Sequence, residues 1–296
     1  NMSKIVVVGC GNVGMAYCYS LLNQILGIDS LVLIDIDKEK LYGKVLDLHQ
    51  SVFNLNNSAL VSMGDYSDCK DADIVCITAG PAQNGLKSSR MEDLFKANSI
   101  FKDIIPSISK SGFSGIYLIA SNPLDVMTYV TWKYANCSPQ KVIGSGTLLD
   151  TARLRFVLSE EYNKKINEVT GYVLGEHGDS QFIPWSTVNL EKIPESTMES
   201  ISDKVKKAGF TVCKSQGFTA YGIASSLSRI TRAILYDENY ILPVSSYIDK
   251  YGIFISTPSI IGRNGIVQSN VIDLEKFEVE QLENSVLTIK TAIGKL

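Results

Sequence analysis

An α/β fold built on a parallel, doubly wound sheet is what this sequence predicts, and three observations predict it. The first half alternates short, continuous apolar runs with amphipathic ones. A glycine-rich turn, Gly9-Cys10-Gly11-Asn12-Val13-Gly14, falls between the first apolar run and the first amphipathic run. After Gly146 the alternation gives way to a different mixture of helical and extended segments. A strand buried on both faces needs continuous apolar residues, and parallel neighbours need a crossover helix. The first half therefore implies a parallel sheet with right-handed crossovers.

Each element follows from its own residues. Residues 5–8 are a continuous apolar run and read as a strand; the glycine turn follows, then an amphipathic helix through residue 26. Residues 31–36 are a second buried strand, 38–49 have helical spacing, and 60–63 form a weaker strand. Residues 74–78 are a strand that ends at Ala79-Gly80-Pro81. Residues 91–109 read as a long helix, kinked or broken near Pro106, where the ring crowds the preceding turn and removes a donor. A strand over 116–120 ends at Ser121-Asn122-Pro123, followed by a helix to about residue 134 and a short strand at 142–143.

The second half predicts a helix over 148–162, a strand over 169–174 and a mostly helical stretch over 201–232, interrupted near Gly217. Extended segments at 241–246, 252–255 and 265–269 precede a terminal helix over 275–293. The chain thus divides into a doubly wound domain, 2–145, and an α+β domain, 146–296.

Composition narrows the function. Hydrophobic residues make up 45% and charged residues 20%, with a formal charge of −3 and no basic block. This argues against nucleic acid or an anionic membrane as the main partner. No apolar run approaches the roughly 18 residues of a membrane span. Lys4 leads straight into a strand, so no signal peptide is expected; Asn1, ahead of Met2, reads as an addition to the natural start. The six cysteines show no C-x-x-C spacing and read as reduced core residues of a cytoplasmic protein.

The glycine turn is G-x-G-x-x-G between a strand and a helix, the context of a Rossmann-type dinucleotide site. Gly9 makes the tight turn, Gly11 lets a pyrophosphate approach the backbone, and Gly14 lets helix and strand pack closely. Asn12 and Val13 open the helix, whose N-terminus offers amide donors to phosphates. Asp35 closes the second strand, where a carboxylate accepts from both ribose hydroxyls of NAD and repels the extra phosphate of NADP.

His177 is one of two histidines, the other being His49, and it lies in a glycine-flanked turn, Gly175-Glu176-His177-Gly178-Asp179-Ser180. An imidazole with an unperturbed pKa near 6.5 suits proton transfer at neutrality. Asp150 is a candidate to orient it, with a plain helix cap as the alternative. Arg153 follows by one helical turn, so one helix could present both groups.

The motifs VVVGCGNVG, LIDID, DIVCITAG, SNPLDV, IGSGTLLDTARLRF, GEHGDS and GFTAYGIA resemble the L-lactate and malate dehydrogenase family over essentially the whole chain. IGSGTLLDTAR, GEHGDSQF and STPSIIGRNG resemble its bacterial L-2-hydroxyacid branch, which includes lactate and L-2-hydroxyisocaproate dehydrogenases. The resemblance implies that His177 is the proton donor and acceptor, that Asp150 holds it, and that Arg153 grips the substrate carboxylate. It implies that Arg90, on a mobile loop, polarises the substrate carbonyl. Asn122 and Thr219 would face substrate, with Asn122 and Ile223 near the nicotinamide and Thr78, Ala79 and Gly80 along the dinucleotide. A cis Asn122-Pro123 bond is expected.

Gln83 occupies the loop position that selects the acid. An uncharged residue there favours pyruvate and lactate, or a 2-keto acid with an apolar tail, while Lys87 could serve a second carboxylate and so malate. The implied protein is an NAD-dependent L-2-hydroxyacid dehydrogenase of glycolysis and fermentation, without a metal. It would be a cytoplasmic homo-oligomer, dimer or tetramer. The readings from other classes are an inactive NAD-binding protein and a metal-using glycosidase, the latter poorly served by two histidines. Two departures stand out. Thr170 replaces the histidine that partners Arg155 in binding fructose 1,6-bisphosphate, and the segment 185–202 is short for the family.

Overall fold

The computed structural model describes residues 3–81 and 90–296, with residue 90 described for its backbone alone. Gln83 and Lys87, and the side chain of Arg90, lie outside the described residues.

The first half places β1 (Ser3–Val8), α1 (Asn12–Gln24), β2 (Ile28–Ile34), α2 (Lys38–Ser51), β3 (Leu60–Met63) and β4 (Ile74–Ile77) in chain order. Next come α3 (Arg90–Lys110), β5 (Ile116–Ile119), α4 (Leu124–Ala135) and β6 (Val142–Gly144). The second half supplies α5 (Leu148–Glu161), α6 (Glu195–Gln216), α7 (Tyr221–Leu235), β7 (Tyr240–Ile248), β8 (Ile253–Gly262), β9 (Gly265–Gln268) and α8 (Lys276–Ile293).

All nine of these strands form one sheet in the order β3-β2-β1-β4-β5-β6-β7-β8-β9. The six first-half strands run parallel. Their order, 3-2-1-4-5-6, reverses direction between β1 and β4, and a doubly wound sheet opens a crevice at that reversal. The strand residues explain the layering. Ile5 and Val7 of β1 face one core with Leu21 of α1, while Val6 and Val8 face the other with Phe101 of α3. Both faces are covered, which is why the run is apolar without alternation.

The second half differs from expectation in three places. Its antiparallel strands continue the first-half sheet, β7 joining β6 at Gly144–Ser245 and pairing with β8 over its full length. The extended segment expected at 252–255 is the start of the ten-residue β8, since the serine- and proline-bearing stretch that follows stays paired. Residues 169–174 are not a strand. Side chains take their backbone donors instead: Thr170 N–H bonds to Asn189 Oδ1, Tyr172 N–H to Thr187 Oγ1 and Val173 N–H to Thr151 Oγ1, at 2.8, 3.2 and 2.9 Å. Only Leu174 and Gly175 form isolated bridges, to Phe182 and Ser256.

In the first half, α3 runs unbroken through Pro106. Its apolar stripe, Leu94, Ala97, Phe101, Ile105 and Ile108, stays buried on both sides of the proline, so packing offsets the lost hydrogen bond. The interruption at Gly217 is real: it caps α6 in a left-handed conformation before α7 begins.

Helices α1 and α7 join the two halves on one face of the sheet, with Leu21 and Leu22 in the same core as Leu227, Ile230 and Ile234. Inside that contact the Tyr17 hydroxyl meets Thr231 Oγ1 at 2.5 Å, and both residues are fully buried. Tyr17→Phe leaves the threonine hydroxyl without its partner in an apolar seam. Urea unfolding is expected to show a loss of about 1–3 kcal/mol, and an unchanged midpoint would show that the pair does not hold the helices together.

Candidate active site

The ends of β1, β2, β4 and β5 converge on the crevice. Gly9, at φ +92°, turns the chain out of β1, and a Cβ there would lie 2.5 Å from Ala79 N. A Cβ on Gly14 would lie 2.1 Å from the Gly9 carbonyl oxygen. Both positions therefore require glycine, for the turn and for close packing of α1. Gly11 is different: a Cβ there meets nothing within 4 Å, so this face of the turn is open. Helix α1 starts beside it with no side-chain cap and no acidic residue in its first turn. The first amides, including those of Asn12 and Val13, thus have no intrahelical acceptor and point a partial positive charge at open space.

Asp35 follows β2. Its Oδ2 accepts from the Cys10 amide at 2.7 Å and its Oδ1 from the Asp37 amide at 3.1 Å. A carboxylate has further lone pairs for ribose hydroxyls. An open glycine turn, uncapped amides and this acceptor fit a dinucleotide. Thr78 supports the turn rather than facing out, since its hydroxyl donates to the Gly9 carbonyl at 2.5 Å. Ala79 donates its amide to Val8 O, and Gly80 is exposed. Asn122 is exposed at the end of β5, and its bond to Pro123 is cis. Thr219 and Ile223, just before and within the first turn of α7, are half-buried.

Next to the crevice, Asp150 joins His177, a catalytic candidate, and Arg153, the candidate for the substrate carboxylate. Its Oδ2 lies 2.6 Å from His177 Nδ1, and its Oδ1 lies 3.0 Å from Arg153 NH1. The carboxylate is 3% exposed, against 27% for the imidazole and 17% for the guanidinium. The capping alternative fails, because Thr147 is the N-cap of α5. Burial opposes the charge on His177, but the carboxylate and its hydrogen bond outweigh it and raise the imidazole above its ordinary value. Burial likewise pushes the Asp150 carboxyl up, yet His177 and Arg153 hold it below the usual carboxylate value. The bond to Nδ1 leaves Nε2 as the nitrogen available to a substrate.

The turn carrying His177 is pinned rather than loose. Gly175 exchanges backbone bonds with Ser256, Ser180 O accepts from Ser285 Oγ at 2.6 Å, and Glu176 accepts from the Ser180 amide at 3.2 Å. The main anchor is Asp125 of α4, which the sequence reading did not single out. It is 2% exposed; its Oδ2 accepts from the His177 amide at 2.7 Å and its Oδ1 from Ser245 Oγ at 2.6 Å. Burial pushes its carboxyl up to about 6, more than those two hydrogen bonds lower it. The available signal was an acid inside the apolar run Leu124-Asp125-Val126-Met127.

Among the described residues no group of three or more His, Cys, Asp and Glu side chains is placed to hold a metal. No described helix is long and apolar enough to cross a membrane.

A dinucleotide crevice with a carboxylate-held histidine at its edge defines a class: proteins equipped to couple hydride transfer with proton transfer. Comparison narrows that class. Residues 3–144 match the lactate/malate dehydrogenase NAD binding domain, and residues 147–296 match the lactate/malate dehydrogenase alpha/beta C-terminal domain. The chain belongs to the lactate/malate dehydrogenase family. It is 40% identical to an L-lactate dehydrogenase of Bacillus pumilus, covering 99% of this chain and 98% of the relative. It is 42% identical to one from Halalkalibacterium halodurans, covering 97% and 96%. Among solved structures it resembles a lactate dehydrogenase from a Medee basin deep-sea metagenome library, with TM-score 0.94, 38% identity and 99% and 98% coverage. The minor L-lactate dehydrogenase of Enterococcus mundtii also gives TM-score 0.94, at 34% identity and 100% and 98% coverage.

Two outcomes test this geometry. Asp125→Ala strips the His177 amide and the Ser245 hydroxyl of their shared acceptor; denaturant unfolding should show a loss of about 2–4 kcal/mol, and a stability equal to the parent would remove Asp125 as the anchor. The second is a proton titration of the two histidine rings by NMR. His177 should titrate above about 6.5, the ordinary histidine value, and Asp150→Asn should move it down, because the main opponent of burial is then gone and only the charge of Asp125 still opposes it. By linkage, the stability that Asp150 lends through His177 is fully present below that ordinary value and is lost as pH rises through the folded one. An Asp150→Asn titration unchanged from the parent would disprove the coupling.

Proposed function

We propose that this chain is an NAD-dependent L-2-hydroxyacid dehydrogenase that interconverts pyruvate and L-lactate. The observation that carries the reading is the single buried carboxylate of Asp150 holding both His177 and Arg153. NADH, when bound, supplies the hydride. Arg153 takes the substrate carboxylate, since Asp150 engages only its NH1 and the rest of the planar fork is left for two oxygens. His177, whose protonated form Asp150 favours, gives its Nε2 proton to the carbonyl oxygen in reduction and recovers it in oxidation. Asn122 and Thr219 position the substrate, and Ile223 backs the nicotinamide. Arg90 polarises the carbonyl, and Gln83 brings no charge of its own for a second carboxylate.

In this reading residues 2–145 bind the coenzyme, through Gly9, Gly11, Asn12, Val13, Gly14, Asp35, Thr78, Ala79 and Gly80, with NAD preferred over NADP. Residues 146–296 bind the acid. The chain acts in the cytoplasm, for which the six free cysteines speak. It assembles as a homo-oligomer, dimer or tetramer, for which the exposed Tyr42, Leu46 and Phe53 along α2 and its end speak.

The test is NADH oxidation with pyruvate, oxaloacetate and 2-ketoisocaproate, compared by kcat/KM. Pyruvate is expected to lead, and His177→Asn to lose at least about 1,000-fold, the scale of a lost acid–base group. A lead for oxaloacetate or 2-ketoisocaproate would replace lactate by malate or by a branched 2-hydroxy acid. Full turnover in His177→Asn would end the acid–base assignment.

A further inference from the structure

Lys44, in the middle of α2, is half-buried and reaches back to the glycine turn. Its Nζ donates to the Cys10 carbonyl at 2.5 Å. The amide of the same residue donates to Asp35. The two main-chain groups of Cys10 thus carry an ammonium and a carboxylate, one beside the other, at the mouth of the turn.

The surrounding charges are arranged to leave that ammonium available. Lys40, earlier on α2, is paired with Asp37 at 3.0 Å. Among the described residues neither Lys38 nor Lys44 takes part in an ion pair; Lys38 instead reaches the Gly64 carbonyl at 3.5 Å. An ammonium has three donors, and the Cys10 carbonyl uses one. A half-buried cation with no direct ion pair among the described residues has lost hydration and gains from a polyanion brought to it. The adjacent Gly11 face is open, and α1 directs uncapped amides to it.

We propose that Lys44 is a coenzyme-recognition residue whose ammonium takes phosphate on the adenosine half of the dinucleotide. It thereby also offsets the repulsion between Asp35 and a 2′-phosphate. The proposal rests on the dinucleotide reading of this turn and deepens it. Coenzyme discrimination then depends on two opposed charges joined through Cys10, rather than on Asp35 alone. A phosphate on the ribose meets one carboxylate and one ammonium instead of a bare carboxylate.

Direct binding tests this without reference to turnover. NADH is titrated by its fluorescence, then displaced by adenosine, AMP and 2′,5′-ADP, with the parent chain, Lys44→Gln and Lys44→Arg, at low and high salt. Lys44→Gln should weaken AMP about 5-fold, the size of one partly exposed charge contact. It should weaken 2′,5′-ADP more than AMP, and leave uncharged adenosine within about 2-fold on the same scale. Lys44→Arg should restore most of the loss, and high salt should shrink it. Equal weakening of adenosine would mean that Lys44 only braces the turn, and no weakening of any probe would remove it from recognition; either result overturns the proposal. A parent chain that binds no NADH would overturn the dinucleotide reading itself.

Discussion

The carboxylate of Asp150 is the constraint around which the second half of the chain is organised. Buried alone, it would carry a desolvation cost large enough to neutralise it. It stays charged because each oxygen has its own partner, Arg153 NH1 at 3.0 Å and His177 Nδ1 at 2.6 Å. Arg153 reaches it by the geometry of one helical turn, which asks nothing of the tertiary fold. His177 comes from a separate segment, so α5 must be fixed against that segment. Thr147, the N-cap, and Thr151, inside the helix, do this. The Thr147 amide bonds to Ser256 Oγ at 3.1 Å, the Thr147 hydroxyl bonds to Val173 O, and the Thr151 hydroxyl takes the Val173 amide at 2.9 Å. The same bonds keep residues 169–174 from becoming a strand. The stretch gives up regular pairing to the helix that carries Asp150.

Two buried carboxylates meet His177, and they differ in a way that separates their duties. Asp150 faces cations, and its carboxyl is held below the usual value despite burial. Asp125 has only an amide and a hydroxyl as partners, so burial prevails and its carboxyl rises to about 6. The first sets the charge and tautomer of the ring; the second sets where the backbone of the ring's residue sits. Asp150 therefore has the larger influence on proton affinity, while Asp125 fixes position and adds a smaller charge contribution.

The parallel sheet was legible because each of its cues is local. Two-sided burial writes itself as an apolar run, as in Ile5-Val6-Val7-Val8, and the glycine turn is contiguous. Asp150 and Arg153 were legible because residues three apart on one helix share a face. The second-half sheet was harder. Strand β8 carries Ser256, Thr257, Pro258 and Ser259, all poor signals for a buried strand, and Ser256, Thr257 and Ser259 are fully buried all the same. They are tolerated because they bond among themselves and with β7, as Ser246 Oγ does with Ser259 Oγ at 3.0 Å. Asp125 was missed for a related reason: its partners, Ser245 and the His177 amide, are 120 and 52 residues away. No local pattern encodes such a meeting. Lys44 resembles any exposed helical lysine until the fold brings it to Cys10.

The join between the halves shows how a catalytic turn can inherit the rigidity of a distant sheet. One transverse row of residues crosses from the parallel strands to the histidine: Gly144 pairs with Ser245, Ser245 with Ser256, and Ser256 with Gly175. His177 lies two residues beyond the end of that row. Every member is small, and packing explains at least Gly144, where a Cβ would lie 2.4 Å from Thr128 Oγ1 and 2.8 Å from Ser245 Cβ. The serines do double work that larger residues could not, since Ser245 Oγ bonds to Asp125 and Ser256 Oγ to the Thr147 amide. The row thus ties the sheet to α4, to α5 and to the turn at the same place. Backbone pairing fixes the height of the turn, Asp125 fixes its amide, and Asp150 fixes its ring. With three independent constraints on one residue, the imidazole is held in place by the protein alone, which is the preorganisation that the proposed proton transfer would require.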